Sequence, residues 1–254
     1  MANVDLSVLI PQWEAPAAIR TLLTTRNGGL SKAPYDSLNL GDHVGDLVST
    51  VQENRALLRK QLPADPIWLR QVHGAMVSTP SQRLIEADAI VSNTPNEVLA
   101  ILTADCLPVL FTNTAGTVVG AAHAGWRGLC NGVLENTTRE MRKLGGEVSA
   151  SELIAWFGPA IGPQAFEVGQ DVVDAFQSSE VAHPPEAFAP IPNRPGKYLA
   201  NIYLLARSRL NAFGVHRIYG GDFCTVKQSD QFFSYRRDGD TGRFASLIWI
   251  DGNK

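Results

Sequence analysis

The feature that most constrains the fold of this 254-residue chain is a series of short apolar runs, several of them apolar at nearly every position. A strand that alternates apolar and polar residues faces water on one side, whereas a continuously apolar strand is buried on both sides. Stacked sheets, or sheets covered by helices, provide that burial. The runs of strand length are Thr21–Thr25, Ile67–Gln71, Ala89–Ser92, Val98–Thr103, Val109–Thr112, Val118–Ala122, Leu153–Phe157, Val215–Gly220 and Ala245–Ile250.

Three other segments have the apolar spacing of amphipathic helices. They are Val51–Leu62, Leu129–Leu144 and Tyr198–Phe213. Thr50 and Glu53 form a possible capping box at the start of the first helix. Because strands and helices intermix without regular βαβ alternation, the sequence predicts an α+β fold. At this length we expect one domain, covering residues 1–254.

Two segments outside these elements carry weaker signals. Val4–Ile10 is interrupted by polar residues and lacks a basic leader, so it predicts a first strand rather than a secretory signal. The proline-rich stretch from residue 183 to residue 196 predicts a long loop or a lid. No apolar run approaches the roughly 20 residues of a membrane-spanning helix.

Composition limits the cellular compartment and the classes of binding partner. The formal net charge of -3 gives no global attraction to nucleic acid or to an anionic membrane, so a small substrate is expected and any anion site must be local. Three scattered cysteines, Cys106, Cys130 and Cys224, are too few for a disulfide framework and indicate a reducing compartment. We therefore expect a cytoplasmic monomer without nucleic-acid or membrane partners.

Two side chains capable of chemistry lie at the ends of apolar runs. Cys106 follows the run that ends at Thr103, and His123 follows the run that ends at Ala122. A thiol and an imidazole placed in this way suit either a nucleophilic Cys/His dyad or two of the three protein ligands of a catalytic metal. Each residue alone could equally be a structural side chain.

His73 supplies a third candidate ligand, because it ends the apolar run from Ile67 to Val72 and precedes Gly74. If three strand ends converge, one cysteine and two histidines with an open fourth position form a plausible catalytic zinc site. The spacings of 33 and 17 residues are not a motif in themselves. The residues alone therefore leave the dyad and the metal site as alternatives.

Seven ordered segments together resemble the YfiH-type laccase-domain family, and the resemblance runs nearly end to end. They are Arg26–Gly29, Tyr35–Leu40, Gln71–Gly74, Thr103–Val109, His123–Gly128, Gly158–Pro163 and Phe232–Asp238. The resemblance implies a four-layer α-β-β-α sandwich of the cytotoxic-necrotizing-factor/YfiH-like type. Members of the family have been labelled polyphenol oxidases, peptidoglycan editing factors and purine nucleoside phosphorylases with adenosine deaminase activity.

The resemblance also implies that His73, Cys106 and His123 bind one zinc ion. A multicopper laccase centre needs ligands for several copper ions, whereas this chain has five histidines and three cysteines in total. His43, His183 and His216 are scattered along the chain. We therefore expect one zinc ion per chain rather than a copper cluster.

Substrate contacts and proton transfer have several candidate residues. Arg26 and Arg127 are the expected contacts to phosphate or substrate by resemblance, and Asn39 can donate and accept hydrogen bonds to ribose or purine. Asp105 is one candidate proton shuttle, with Cys106 and His123 as its catalytic partners, and Glu167 is another. Weaker candidates are the basic pair Arg236 and Arg237, and the aromatic residues Trp126, Phe232 and Phe233.

By resemblance, the expected activity is zinc-dependent phosphorolysis of adenosine, inosine and methylthioadenosine to the free base and ribose 1-phosphate, with adenosine deamination as a side activity. Two other enzymatic interpretations remain. One is a cysteine-type or zinc hydrolase that edits peptidoglycan precursors by removing wrongly incorporated L-Ser, and the other is a polyphenol oxidase. A non-enzymatic module that binds nucleosides or a protein would bind its ligand without turnover.

Overall fold

The computed structural model describes residues 6–146, 152–179 and 181–252. The strands are β1 (Val8–Leu9), β2 (Ile19–Thr24), β3 (Pro66–Ile67), β4 (Val77–Ser78), β5 (Ala89–Ser92), β6 (Val98–Thr103), β7 (Leu107–Asn113), β8 (Val119–Ala124), β9 (Leu153–Phe157), β10 (Glu167–Gly169), β11 (Phe188–Pro190), β12 (Lys197–Ala200), β13 (Arg217–Gly220) and β14 (Phe244–Ile250). The helices are α1 (Val48–Arg59), α2 (Trp126–Cys130), α3 (Val133–Leu144), α4 (Gln170–Gln177), α5 (Ile202–Ala212) and α6 (Tyr235–Asp238), and a 3-10 helix spans Pro185–Ala187.

Two mixed sheets contain most of these strands. The first has the order β1-β2-β14-β6-β3 and the second has the order β13-β9-β7-β8-β5-β4. A small third sheet pairs β10, β12 and β11 in antiparallel fashion. The α+β expectation is therefore confirmed.

Strand β6 shows why the central runs are continuously apolar. All six of its residues are buried. Leu99 and Ile101 pack into a cluster with residues of the other large sheet, whereas Val98, Ala100 and Leu102 pack with Leu58 of α1. Because successive side chains point to opposite faces, a strand with protein on both faces needs apolar residues throughout.

A third apolar cluster joins the six-stranded sheet to helices. It contains Val109 of β7 and Ala122 of β8, together with Val133 of α3 and Ile202 of α5. The polar faces of these helices are left toward water, as their periodicity predicts. Among the described residues, no helix has the length and apolar character needed to cross a membrane.

Several predicted elements have different bounds in the structure. The strand at Ile67–Gln71 is reduced to Pro66–Ile67, and the helix at Leu129–Leu144 is two helices, because Gly132 between them has φ 89°. Such a positive φ is outside the right-handed helical region. The capping box is wrong, since α1 begins three residues earlier, after Leu47, and no side chain caps it.

Two predictions of loop or helix became strand. Tyr198 and Leu199, expected at the start of a helix, belong to β12, and α5 begins at Ile202. The proline-rich segment forms β11, which pairs with β12 as a hairpin. Val4 and Asp5 of the predicted first strand Val4–Ile10 lie outside the described residues. Among its described residues, the strand is limited to Val8–Leu9.

Candidate metal centre

Strand pairing brings Cys106 and His123 to the same edge of the six-stranded sheet. Strands β7 and β8 are antiparallel, with Pro108 opposite His123 and Leu107 opposite Ala124. The start of β7 therefore lies beside the end of β8, and Cys106 immediately precedes β7. Asp105 has φ 91° in the turn that enters this strand. The positive φ lets the chain pass from β6 in one large sheet to β7 in the other within three residues.

His73 reaches the same place from an irregular segment between β3 and β4. It has φ 61°. The carboxylate of Asp88 accepts hydrogen bonds from the backbone N–H groups of Val72, His73 and Gly74, at 3.2, 2.9 and 2.7 Å. One carboxylate thus holds three consecutive amides and stabilises the unusual backbone of this turn.

Asp88 also positions His123, and the sequence analysis missed it. The Nδ1 atom of His123 lies 2.8 Å from Asp88 Oδ1, and the His123 N–H donates to the backbone oxygen of Asp88 at 2.7 Å. Both side chains are buried, at 4% and 0% exposure. The sequence signal was an acidic residue directly before an apolar strand, where burial of an unpaired carboxylate would be costly.

We call His73, Cys106 and His123 the donor triad. Their candidate ligand atoms all lie within 4.8 Å of one another. Cys106 Sγ lies 3.7 Å from His73 Nε2, and the two imidazole rings meet edge to face with centroids 4.8 Å apart. Sulfur and nitrogen ligands of one tetrahedral zinc ion are about 3.6 Å apart by the usual bond lengths. The triad therefore fits a single metal ion.

Gly125 provides an independent test of this fit. A Cβ atom at this position would lie 2.9 Å from His73 Cδ2, 3.0 Å from Cys106 Sγ and 3.7 Å from His123 Cε1. Its backbone is extended, with φ -62°, so no conformational rule requires glycine here. The absence of a side chain instead gives room for the three donors to converge.

Cys106 and His123 change each other's pKa. Burial alone would raise the pKa of the Cys106 thiol, but the charge of His123 and hydrogen bonds from both histidines lower this pKa to about 6. Burial would lower the pKa of His123, but Cys106 and Asp88 raise it to about 9. Burial would raise the pKa of Asp88, and its bonds to His123 and the backbone amides lower it overall. A thiolate paired with an imidazolium is thus the favoured state of the metal-free protein.

The donor triad opens into a cavity of about 470 Å³. This volume is within the usual range of small-molecule sites. One part of the lining is apolar or aromatic, and the other is basic or polar. The lining consists of His43, Gln71, His73, Leu102, Thr103, Ala104, Asp105, Cys106, His123, Trp126, Arg127, Ile161, Phe166, Ile202, Tyr235, Arg236 and Arg243.

The two acidic candidates differ in position. Asp105 lines the cavity, where its Oδ1 accepts a hydrogen bond from the Thr225 hydroxyl at 2.5 Å and its Oδ2 accepts one from the backbone N–H of Arg236 at 2.7 Å. Glu167 lies outside the lining formed by the described residues and pairs with Arg194. The geometry therefore favours Asp105 over Glu167.

We call Arg127, Arg236 and Arg243 the arginine group, because all three line the cavity. The Arg127 guanidinium is exposed and lies over the Trp126 ring, 4.3 Å from its centroid. Arg236 donates to the backbone oxygens of Ala165 and Glu167. Arg237, the other member of the predicted basic pair, is outside the described lining and binds Asp238.

Arg26 and Asn39 lie outside the cavity lining of the described chain, so their expected contact with substrate stays a prediction. The Arg26 guanidinium donates to Asp36 and to the backbone oxygen of Ser229, and it lies over the ring of Phe233. Asn39 is fully buried. Their polar atoms are used within the protein, so both have structural roles in this conformation.

Asn39 nevertheless acts on the cavity indirectly. Its Oδ1 accepts hydrogen bonds from the N–H groups of Gly41 and Arg243, both at 2.9 Å, and the Leu40 N–H donates to the Arg243 backbone oxygen at 3.0 Å. These bonds tie the segment that carries His43 to the start of β14. Phe232 and Phe233, which were weaker candidates for substrate contact, are fully buried core residues.

The other two cysteines have different surroundings from Cys106. Cys130 donates a hydrogen bond to the backbone oxygen of Ala175, and burial raises its pKa. Cys224 lies against Gly162, whose N–H donates to its sulfur. Within the described ranges, the donor triad is the one group of three or more histidine, cysteine or acidic side chains close enough to share a metal ion.

Comparison with known proteins gives a consistent result over almost the whole chain. Residues 20–251 match the family described as multi-copper polyphenol oxidoreductase laccase. The chain is 49% identical over 254 residues to "Purine nucleoside phosphorylase" of Haemophilus influenzae, covering 97% of this chain and 100% of the relative. It is 50% identical over 248 residues to "Purine nucleoside phosphorylase YfiH" of Escherichia coli, covering 96% and 98%.

Solved structures of related proteins also match this chain over nearly its whole length. Neisseria meningitidis protein NMB0706 superposes with a TM-score of 0.88 at 50% sequence identity, covering 96% of this chain and 99% of that one. The hypothetical protein YfiH of Bacillus licheniformis superposes with a TM-score of 0.85 at 29% identity, covering 92% and 93%. The relatives thus share both the fold and nearly the full length of this chain.

Proposed function

Because this chain belongs to the multi-copper polyphenol oxidoreductase laccase family, whose close relatives carry the name purine nucleoside phosphorylase, we propose that it is a zinc-dependent enzyme that phosphorolyses purine nucleosides. Its substrates are adenosine, inosine and methylthioadenosine, and deamination of adenosine is a second reaction at the same centre. The observation that carries the proposal is the donor triad opening into a cavity that also contains three arginines. A metal centre beside cationic side chains suits a reaction between a nucleoside and an anion.

Zinc is the metal we propose for the triad. Two imidazoles and one thiolate are a borderline-soft donor set that zinc accepts in tetrahedral geometry with one position open for substrate. A multicopper centre needs several such groups, and among the described residues the triad stands alone. Zinc held by these three donors would supply a Lewis acid for negative charge on a substrate oxygen.

The protein's own residues have distinct tasks in this proposal. Asp88 holds the Nδ1 atom of His123 and the backbone amides at His73, so it fixes the direction of the His123 imidazole and the turn that presents His73. The apolar wall of Ile161, Phe166 and Ile202 excludes water from the bound nucleoside. Asp105 is the carboxylate in the described lining and is the proposed proton shuttle.

Phosphorolysis balances without a further reactant. An oxygen of hydrogen phosphate attacks the anomeric carbon of the ribose, and the bond from this carbon to the purine nitrogen breaks. The bonding electrons leave with the purine, which takes the proton released by phosphate. The products are the free base and ribose 1-phosphate. Positioning of phosphate in line with the leaving base is the main contribution expected of the cationic side chains.

The test is to incubate the purified protein with adenosine, with and without inorganic phosphate, and to separate adenine, inosine and hypoxanthine. We expect adenine and ribose 1-phosphate to appear together and only with phosphate, whereas inosine appears in both mixtures. Release of adenine without phosphate would instead identify a nucleoside hydrolase. Elemental analysis of the same sample should give one zinc per chain, and two or more copper ions per chain would contradict the metal assignment.

One observation favours a second candidate, a cysteine hydrolase. Cys106, His123 and Asp88 are linked in the order thiol, imidazole, carboxylate, and the pKa of Cys106 falls to about 6. This is the arrangement of an activated cysteine nucleophile. Metal content separates the candidates, because a thiolate that binds zinc is not free to attack. A metal-free protein that hydrolyses peptidoglycan precursors would support the second candidate.

We extend the proposal to the order of layers in the fold, the cellular compartment and the oligomeric state. We infer an α-β-β-α order, supported by one apolar cluster that contains residues of both large sheets and by two clusters that join each sheet to helices. We propose a cytoplasmic monomer, a setting supported by its three free cysteines.

A further inference from the structure

Arg243 differs from the other two members of the arginine group. Its Nη1 donates to the backbone oxygens of Thr241 and Gly242, at 2.9 and 3.0 Å, and its remaining guanidinium nitrogens have no hydrogen-bond partner in the described part of the chain. No carboxylate among the described residues pairs with it within ion-pair distance, although Asp105 and Asp240 are near enough to affect its pKa. A partly buried cation without a paired anion is a strong binding group for an anionic ligand.

Arg243 lies close to the donor triad and to His43. Burial lowers its pKa, and the nearby Cys106 sulfur opposes that effect. Burial lowers the pKa of His43 as well, and the charge of Arg243 adds to this lowering. Gly41 allows the close approach, since a Cβ atom there would lie 2.8 Å from Arg243 Cγ. Arg243 and His43 both line the cavity, so a cation and an imidazole face the same space.

Thr103 provides an independent observation at the same place. It lines the cavity and is 1% exposed, and its hydroxyl, which is shielded from solvent in this conformation, has no hydrogen-bond partner among the described protein atoms. A rotation about the Cα–Cβ bond is needed to turn this hydroxyl toward a ligand. In the sheet it pairs with Phe244, the residue after Arg243. A buried hydroxyl without a partner is costly unless a ligand satisfies it.

We propose that Arg243, Thr103 and His43 form the subsite for inorganic phosphate in this cavity. Arg243 supplies the charge and two donor nitrogens, and Thr103 supplies a further donor to the phosphate oxygens. The His43 imidazole, whose Nδ1 lies 3.5 Å from Asp42 Oδ1, offers its other ring nitrogen to the protonated oxygen of hydrogen phosphate. The Arg127 and Trp126 pair, with the apolar wall around Phe166, then receives the nucleoside. The assignment rests on the proposed phosphorolysis and replaces the expected phosphate contact at Arg26.

The test measures KM separately for phosphate and for adenosine in single variants. Arg243→Met is expected to raise KM for phosphate by about 10- to 100-fold, the effect of losing a charge-assisted hydrogen bond, with a much smaller change for adenosine. Arg127→Met is expected to do the reverse. Arg217→Gln, at an exposed ion pair with Glu14, is the control and should match the wild type.

Thr103→Val tests the hydroxyl with almost no change of shape. It should raise KM for phosphate by several fold, because one neutral hydrogen bond is lost. The matched control is Ser246→Ala, which removes another buried hydroxyl without a described partner, on β14 but outside the described cavity lining. If Arg243→Met does not fold, Arg243→Lys and Thr103→Val carry the test. An unchanged KM for phosphate in the Arg243 variant and in Thr103→Val would overturn the proposal.

Phosphate binding by calorimetry keeps this proposal separate from the proposed function. If the wild type does not cleave nucleosides, phosphorolysis is wrong, but phosphate binding that Arg243→Met abolishes still supports the subsite. Absence of phosphate binding by the wild type would overturn it. Adenosine monophosphate is the second probe. If it binds through Arg243 while inorganic phosphate does not, the site belongs to a nucleotide phosphate and the proposal is wrong.

Discussion

The donor triad and the arginine group line the same cavity but are built differently. The triad consists of short side chains at strand ends or on a constrained turn, and the buried Asp88 links two of its three members. The arginine group consists of long side chains held by peptide oxygens, as at Arg236 and Arg243, or by stacking on Trp126. The position of the triad therefore follows from the course of the backbone, whereas the position of each arginine depends on the contacts that its own guanidinium group makes. Changes near the triad should affect metal binding most.

Loss of the thiolate ligand should have the largest effect. We expect Cys106→Ser to lose bound metal and activity while it keeps its fold, because a hydroxyl is a poor zinc ligand and the residue lies at a strand end. Cys130→Ser is the matched control, since its sulfur only donates to a backbone oxygen. Metal content and circular dichroism of both variants check this. Equal behaviour would show that the triad does not hold the metal.

The second-largest effect is expected from removing the negative charge of Asp88, which contacts the triad. Asp88→Asn is expected to weaken metal affinity by about 10- to 100-fold, the usual result of losing the partner of a metal-bound histidine. It should also destabilise the turn at His73, which Asp88 holds through three amides. Metal titration against a chelator measures the affinity. Asp65→Asn, at an exposed ion pair, is the control, and the same affinity in both variants would contradict the assigned role of Asp88.

A smaller effect is expected from crowding the triad. In Gly125→Ala the new Cβ would press on His73 and Cys106, so metal affinity should fall by several fold. Gly162→Ala creates a similar clash, with Cβ 2.9 Å from Cys224 Cβ, away from the triad. Both variants should melt at a lower temperature, but only Gly125→Ala should bind metal more weakly. A loss of affinity in both would mean that the effect is general destabilisation.

The mildest perturbation is pH applied to the metal-free protein. The pKa of Cys106, lowered to about 6, keeps its thiolate above that pH, and the pKa of His123, raised to about 9, keeps its imidazolium below that pH. The ion pair and its stabilisation are thus present between these values and are lost as pH falls through about 6 or rises through about 9. Ultraviolet absorbance of the thiolate should titrate near pH 6 in the wild type but not in Cys106→Ser. Titration only near the ordinary thiol value would contradict this coupling.

Sequence periodicity predicted the buried frame of the fold better than its edges. The strands at Ala89–Ser92, Val98–Thr103 and Leu153–Phe157 are confirmed at both ends, because burial on both faces forces continuous apolar residues. Edge and surface elements were predicted less well. The start of α1, the break at Gly132 and the strand at Tyr198 depend on local turns and partners that periodicity does not contain.

The sequence by itself determined the donor residues, since cysteine and histidine at the ends of apolar runs are chemically distinctive and the resemblance to a known family selected the same three. Only the tertiary structure decided which residues support them. Asp88 and Arg243 look like ordinary charged residues in the sequence, and their roles arise from contacts across 35 residues to His123 and 204 residues to Asn39. Arg26 and Asn39, conspicuous in the sequence, are satisfied within the protein. Burial and hydrogen-bond partners are properties of the folded chain, so they decide which polar side chains are left for a ligand.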